Sequence, residues 1–309
     1  MFKKTLIAMA VASVVAAPIA SADVKISGVV EQTFTDTEND ANGMDTATFN
    51  MLNVSASEDL GNGMSAFAKF SLLDKDGLNG TTNNADQTVG LSGGFGTVVF
   101  GTMEDFTESK VMSLMSMYGP AGIELAGVNA ERNASAMAYV SPTMNGLHAG
   151  IAGYTELGTA AKGDTGSNFD AIDMMIAYDN GPLSVKLARE TQKSEMLAGA
   201  EDQEVTTLGV KYSMGDLSVA GVWVDSENEA GVAASDNNDY MLRADYTVGA
   251  NKVTIGHANS EDATGAATTD TTSVELIHNF SKRTAAYIGH KDIDTANSNK
   301  TYVGIQHTF

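Results

Sequence analysis

The length, composition and charge of this 309-residue sequence exclude several classes of protein. It has 39 acidic and 18 basic residues, and its formal net charge of −21 opposes binding to nucleic acid, because phosphates require a basic surface. It contains no cysteine, which excludes disulfides, thiolate metal ligands and cysteine nucleophiles.

The first 22 residues have the pattern of a secretory signal peptide. Lys3 and Lys4 precede an apolar stretch at 6–19, and Ala20, Ser21 and Ala22 form a small-x-small cleavage pattern. This stretch is short for a membrane anchor, which needs about 20 apolar residues. We expect a mature domain at 23–309, with the formal charge shifted from −21 to −23 by the loss of both lysines.

Short runs of alternating apolar and polar residues fill the rest of the sequence. In 239–247, for example, Tyr240 and Leu242 alternate with Met241 and Arg243. No stretch after residue 22 approaches 18 consecutive apolar residues, so a membrane-spanning form of this chain must be a closed barrel. The sixteen predicted strands are 24–36, 46–57, 64–73, 86–92, 97–102, 134–141, 147–157, 169–178, 183–191, 204–213, 217–227, 239–247, 252–260, 271–280, 284–293 and 300–309.

The connections between these runs alternate between short and long. The short ones offer the Gly, Asn and Asp residues that hairpin turns require. The long ones are polar, as at 159–168, 193–203, 229–238 and 261–270. This alternation predicts an all-β fold, a transmembrane antiparallel barrel of sixteen strands with its tight turns on one rim and its long loops on the other.

Aromatic residues recur near the predicted turns, where they would form one of the two aromatic girdles of a membrane barrel. A plain preference of tyrosine for strands is the simpler explanation, but it does not predict clustering beside turns. The residues concerned are Tyr139, Tyr178, Tyr212, Tyr246, Phe280 and Phe309.

The connection at 103–133 is much longer than the others, and loops of this length in compact domains are usually functional. Its apolar residues are spaced as in a short helix over 108–118, ended by Gly119 and Pro120. A floppy external loop is the alternative, but an apolar loop favours burial inside the barrel. Folded inward, it would narrow the pore with the acidic residues Glu104, Asp105, Glu108, Glu124 and Glu131. The predicted lumen-facing bases are Lys69, Arg132, Lys186, Lys211 and Arg243. Opposed charges of this kind would sort solutes by charge.

Catalytic and metal-binding patterns are not found. The five histidines, His148, His257, His278, His290 and His307, sit singly on predicted strands, without metal-ligand spacing. The one Gly-x-Ser-x-Gly match, GLSGG at 90–94, lies in a predicted hairpin and not in a strand-to-helix elbow, and no phosphate-binding loop occurs. We therefore predict neither an enzyme nor a cofactor, while a barrel enzyme or adhesin remains an alternative.

Several segments resemble the general diffusion porins of Gram-negative bacteria. The C-terminal YVGIQHTF at 302–309 resembles the closing strand of that family. The hairpin GLSGGFGTVVFG at 90–101 resembles the one that leads into its constriction loop, and YDNGPL at 178–183 and the stretch 276–287 are similar to later hairpins.

The resemblance implies a homotrimer of sixteen-stranded barrels, each with its third loop folded into the lumen. It also implies a place in the outer membrane among lipid and lipopolysaccharide, and passage of small hydrophilic solutes. The last strand would be recognised by the barrel-assembly machinery through Val303, Ile305, His307 and Phe309. A substrate-selective porin is the second candidate.

The family often carries an arginine directly after the glycine that matches Gly101, whereas Thr102 stands here. A weaker basic side of the pore and a mature charge of −23 together predict that cations are preferred.

Overall fold

The computed structural model describes residues 23–41, 43–74, 83–115, 135–155, 169–193, 201–228, 236–261, 267–294 and 299–309. Within them the chain forms sixteen strands and one short helical segment. The strands β1 to β16 are, in order, Asp23–Thr37, Asp45–Gly61, Met64–Asp74, Asn83–Gly93, Gly96–Thr102, Ser135–Val140, Leu147–Thr155, Ala171–Asn180, Leu183–Gln192, Gln203–Met214, Leu217–Glu227, Asn237–Val248, Asn251–Glu261, Thr268–Asn279, Thr284–Ile293 and Lys300–Thr308.

Each strand pairs antiparallel with its neighbours in sequence, and β1 pairs with β16 to close the barrel. At the junction, the amide of Gly28 donates to the carbonyl of Phe309 at 3.0 Å, and the amide of Phe309 donates to the carbonyl of Gly28 at 3.1 Å. Closure leaves no strand edge unpaired, which is the condition for a sheet to lie in lipid. The predicted fold class and strand number are therefore confirmed.

The short and long connections alternate as predicted. The turns at 62–63, 94–95, 181–182, 215–216 and 249–250 lie on one rim, together with the slightly longer connections 141–146 and 280–283. We call this the turn rim and the opposite one the loop rim. Strand ends differ from the predictions by a few residues. For example, β2 continues to Gly61, past the expected end at 57, and β14 begins at Thr268.

The two faces of the strands have different chemistry because side chains alternate sides with a period of two. On the outer face, large apolar residues are exposed and lie beside one another on neighbouring strands, as Leu208, Trp223 and Tyr240 do. Such an apolar exterior suits lipid and not water. In the described part of the chain, no helix has the length and apolar character needed to cross a membrane.

The predicted girdle residues lie near the turn rim, on the apolar outer face of their strands. Five of them are exposed: Tyr139, Tyr212, Tyr246, Phe280 and Phe309. Tyr178 is half-buried. The hydroxyl of Tyr139 donates to the carbonyl of Phe95 in the neighbouring turn at 2.7 Å, which joins one girdle position to the rim.

Candidate functional site

The third long loop begins inside the barrel. We call its described part, residues 103–115, the loop root. It contains a π-helical turn at Thr107–Val111 and a 3-10 turn at Met112–Met115, which pack against β9, β10, β11 and β12. The predicted helix is thus confirmed up to Met115, and it starts at Thr107, one residue before its expected start at 108. The later part, 116–134, lies outside the described residues.

Two inward-facing glycines let the loop root approach the wall closely. A Cβ atom at Gly150 would lie 2.7 Å from Cζ of Phe106. At Gly209 it would lie 2.7 Å from Cγ1 of Val111 and 2.8 Å from Cδ1 of Leu114. The side chains of the loop root therefore occupy space that any larger residue at these two positions would fill.

Polar contacts also hold the loop root on the wall. The amide of Phe106 donates to Oδ2 of Asp173 at 2.5 Å. The hydroxyl of Tyr154 donates to the carbonyl of Glu104 at 3.3 Å, and Nζ of Lys186 donates to the carbonyl of Lys110 at 3.2 Å. Strands β7, β8 and β9 each supply one of these anchors.

A cluster of three carboxylates lies beneath the start of the loop root. Asp105, Asp173 on β8 and Glu190 on β9 are exposed by only 3%, 0% and 6%, and one oxygen from each lies within 4.8 Å of the others. Burial, and next the charge of Glu190, hold the pKa of the Asp105 carboxyl well above its usual range. We call these three residues the carboxylate cluster.

The acidic residues that were predicted to line the pore together do not all lie in the same kind of place. Asp105 does not line it: its Oδ1 accepts the amide of Glu108 at 2.6 Å, and this local cap turns the carboxylate toward the wall. Glu104 and Glu108 are half-buried in the loop root. Glu124 and Glu131 lie outside the described residues, as does the predicted base Arg132.

The four described bases lie on the inward face, and three of them have partners there. Lys69 forms an ion pair with Asp86 at 2.6 Å, and Arg243 forms one with Asp245 at 2.9 Å. Lys186 contacts the loop root itself, so it lies on the same side of the lumen as the loop root and does not face it from across the pore. Lys211 is half-buried between β9 and β11.

Four of the wall bases form a band below the loop root. Gly209 pairs with Lys186, so Lys211 is a diagonal neighbour of Lys186 on the same face. Ala220 pairs with both Lys211 and Arg243, which puts these two at one level. Lys252 faces inward on the next strand, and the whole set, which we call the basic row, is Lys186, Lys211, Arg243 and Lys252.

Four residues of this region were not predicted from the sequence: Lys252 in the basic row, and Asp173, Glu190 and Tyr154 near the loop root. Strand alternation contains the signal for all four, since each lies on the face opposite exposed apolar neighbours such as Met174. It does not show which inward residues the loop contacts.

A second polar network lies on the wall formed by β1 and β14 to β16. The hydroxyl of Tyr287 donates to Oε1 of Glu31 at 2.7 Å, and the hydroxyl of Tyr302 donates to Oε2 of Glu275 at 3.3 Å. Each tyrosine ring lies close to a glycine of the neighbouring strand: a Cβ at Gly304 would lie 2.2 Å from the Tyr287 ring, and one at Gly289 would lie 2.3 Å from Cζ of Tyr302.

The predicted recognition residues of the last strand all point outward. Val303, Ile305 and Phe309 are exposed, by 47%, 51% and 46%. His307 lies on the same face, where its Nδ1 is 2.9 Å from Oγ1 of Thr284.

The arrangement is thus a closed transmembrane barrel with a loop fixed to its inner wall, which is the architecture of a pore-forming outer-membrane protein. The family model for Gram-negative porins matches residues 6–298. The chain belongs to the Gram-negative porin family and is located in the outer membrane.

Individual relatives agree with this assignment. Outer membrane porin protein 32 of Delftia acidovorans is 30% identical over 68% of this chain and 66% of its own length. An anion-selective porin from Comamonas acidovorans has a TM-score of 0.75 at 25% identity, over 94% of this chain and 100% of the other. OmpT of Vibrio cholerae, in a trimer form, has a TM-score of 0.69 at 13% identity, over 94% and 100%. Family and fold both point to a channel and not to an enzyme.

Proposed function

We propose that this protein is a diffusion porin that lets small hydrophilic solutes and ions cross the outer membrane passively. The observation that supports this most is the loop root docked on β9 to β12 inside a closed sixteen-stranded barrel. A loop fixed at this place narrows the lumen. Solute passage then depends on the size and charge of the remaining opening.

We also propose a homotrimer, with an N-terminal signal at 1–22 that lies outside the described residues. The trimer form of the Vibrio cholerae relative supports the assembly. Lipid, lipopolysaccharide and the barrel-assembly machinery are the other proposed partners, the last through the outward residues of β16. Cross-linking of the purified protein in detergent tests the trimer, and a purely monomeric product would contradict it.

The charges of this protein favour two opposite ion preferences, one for cations and one for anions. The formal charge of −21, with much of the acid excess in loops, favours cations. The basic row favours anions, because the described acids on the inner face are largely buried or paired, whereas Lys186 and Lys211 are partly exposed. The anion-selective relative from Comamonas acidovorans supports the second candidate. Cation preference is the outcome that we propose on charge, and reversal potentials in a salt gradient separate the two.

Planar-bilayer recording tests the whole proposal. A trimeric diffusion pore gives ohmic conductance in steps of three. Block of the current by one class of solute would favour the substrate-selective alternative. A folded barrel that conducts nothing would overturn the proposal and favour an enzyme or adhesin.

A further inference from the structure

A groove runs along the outer face of the barrel between β5 and β8. Met137 on β6 and Ile172 on β8 both pair with Gly153 on β7, so an outward glycine lies between two large outward side chains. The groove beside this glycine has a volume of about 360 Å³. Ala138 and Ala152 also line it, and because their side chains are buried, the backbone of β6 and β7 forms its floor.

The two ends of this groove are formed by aromatic rings. The ring of Phe169 lies over Gly153, where a Cβ atom would be 2.6 Å from Cδ1 of the ring. Tyr139 lines the end nearer the turn rim, and its hydroxyl donates to the carbonyl of Phe95, so this polar group is already satisfied outside the groove. The other large lining side chains are Val98, Met137, Ile151 and Ile172, and none of the described lining residues is charged.

The groove belongs to the surface that faces lipid. Met137 and Ile151 lie on the outer face and are 50% and 49% exposed. Water fills a cavity only where polar groups bind it, and an empty groove loses the dispersion contacts of its lining. The occupant must therefore be hydrocarbon, which leaves a lipid chain or the apolar surface of another protein.

The size of the groove favours the lipid chain. A stable protein interface buries about 800 Å² on each partner, which is far more than a groove of this width provides. Small-molecule sites have volumes of about 300–1,000 Å³, and the groove lies at the lower end of that range. A single chain-like molecule is therefore the occupant that fits.

Polar side chains lie just above the groove, at the loop rim. Ser135 and Thr155 pair with each other and share the outward face with Met137 and Gly153. The hydroxyl of Thr155 donates to the carbonyl of Ser135 at 3.2 Å, and Ser135 is exposed. The surface thus changes from apolar to hydroxyl-bearing at the height where the polar part of a lipid would lie.

We propose that this groove binds one acyl chain of a membrane lipid, with the polar part of the lipid at the loop rim. Shape and dispersion hold the chain, because the hydrophobic effect does not distinguish one apolar surface from another inside a bilayer. The bound lipid would exchange more slowly than the lipids around the rest of the barrel. This site does not depend on the proposed diffusion function, so the two proposals can fail separately.

Native mass spectrometry tests the proposal. The full-length mature protein is refolded into vesicles of dimyristoyl phosphatidylcholine, extracted into detergent, washed and sprayed at increasing collision energy. We expect a state with one phosphatidylcholine per chain that survives after the other lipids have been stripped away.

Two variants locate the bound lipid. Ile151→Trp fills the groove, and Phe169→Ala removes the wall at the end nearer the loop rim without altering a strand. Both should lose the state with one lipid. Ile176→Trp is the matched control, because Ile176 is an outward residue of β8 with 47% exposure that does not line the groove, and it should retain the lipid. Heat-shifted mobility on gels checks folding, and the conductance of Ile151→Trp should equal that of the wild type.

Three results would overturn the proposal. The first is a wild type that keeps no lipid under these conditions, and the second is equal retention by the wild type and both groove variants. The third is an equal loss of lipid in Ile176→Trp, which would show that any bulky change on the outer face removes it. If the wild type keeps no lipid and Ile151→Trp also breaks the oligomer, a second copy of the chain covers the groove instead.

Discussion

The amide of Phe106 donates a 2.5 Å hydrogen bond to Oδ2 of Asp173, and this contact joins the third loop to a strand 67 residues further along the chain. Both groups are buried, so neither can exchange its partner for water. Loss of the acceptor would leave a buried amide unsatisfied, which costs about 1–3 kcal/mol. The position of the loop is therefore sensitive to one strand residue.

Replacing that acceptor is expected to release the loop root. Asp173→Ala should raise the mobility of a spin label attached at Ser113→Cys, which is an exposed position of the loop root. The chain has no cysteine, so the label reports on this site alone. Asp173→Asn serves as the matched control, because its side-chain oxygen still accepts the Phe106 amide. Equal mobility in the alanine variant and the wild type would contradict this assignment.

The glycine under the loop root should control pore size. Gly209→Leu puts a side chain where Val111 and Leu114 now lie, and we expect the loop to move into the lumen with a clear drop in single-channel conductance. Gly221→Leu is the control, since Gly221 lies on the neighbouring strand and a Cβ there meets Leu242 on the outer face. An unchanged conductance in Gly209→Leu would show that the loop root does not limit the current.

Docking of the loop should depend on pH. Burial raises the pKa of the Asp105 carboxyl most, and the charges of Glu190, Asp173 and Glu108 raise it further. The hydrogen bond from the Glu108 amide lowers this pKa but does not outweigh the other causes. The docked state therefore binds the Asp105 proton more tightly than a released state, in which this carboxyl has its usual pKa of about 3.9.

The direction in which docking changes with pH follows from this difference in the pKa of Asp105. Protonation favours docking, so docking is strongest at acid pH and weakens as the pH rises through the raised pKa. The spin label at Ser113→Cys should become more mobile as the pH rises through the raised pKa of Asp105, and Asp105→Asn should remove most of this change. Increasing immobilisation toward neutral pH would be the opposite of the expected result.

The basic row should bias permeation toward anions. Lys211→Gln removes a positive charge from the lumen, so the reversal potential in a salt gradient should shift in the cation-selective direction. Arg189→Gln is the control: Arg189 lies on the outward face of β9, where it forms an ion pair with Glu204. A shift of the same size in both variants would show that the effect does not come from the lumen.

Closure of the barrel should fail when the junction between β1 and β16 is blocked. A Cβ at Gly28 would lie 2.5 Å from the carbonyl oxygen of Met51 and 2.6 Å from Cζ of Phe309. Gly28→Val is therefore expected to reduce the yield of heat-modifiable, folded barrel, whereas Gly94→Val at an open turn should fold nearly normally. Normal folding of Gly28→Val would mean that the junction between β1 and β16 tolerates a side chain at this position.

Much of the architecture was predictable because it depends on local rules. Alternation with a period of two assigns Leu187 to lipid and Lys186 to the lumen without knowledge of any partner strand. Turn residues and long polar connections then order the strands. Closure requires β1 to meet β16, and the even count makes that pairing antiparallel. The closing contact of Phe309 follows from these features alone.

Only the tertiary structure decided what the inward residues do. Alternation places Asp173 and Glu190 on the inner face, but their height along the barrel depends on the register of strand pairing and on where the loop docks. Asp105 shows the consequence: its sequence context suggested a pore-lining charge, whereas the Glu108 amide and the fit of Phe106 against Gly150 turn it into the wall. The sequence by itself determined a barrel with a long third loop, while contacts between distant residues decided which carboxylates meet beneath it.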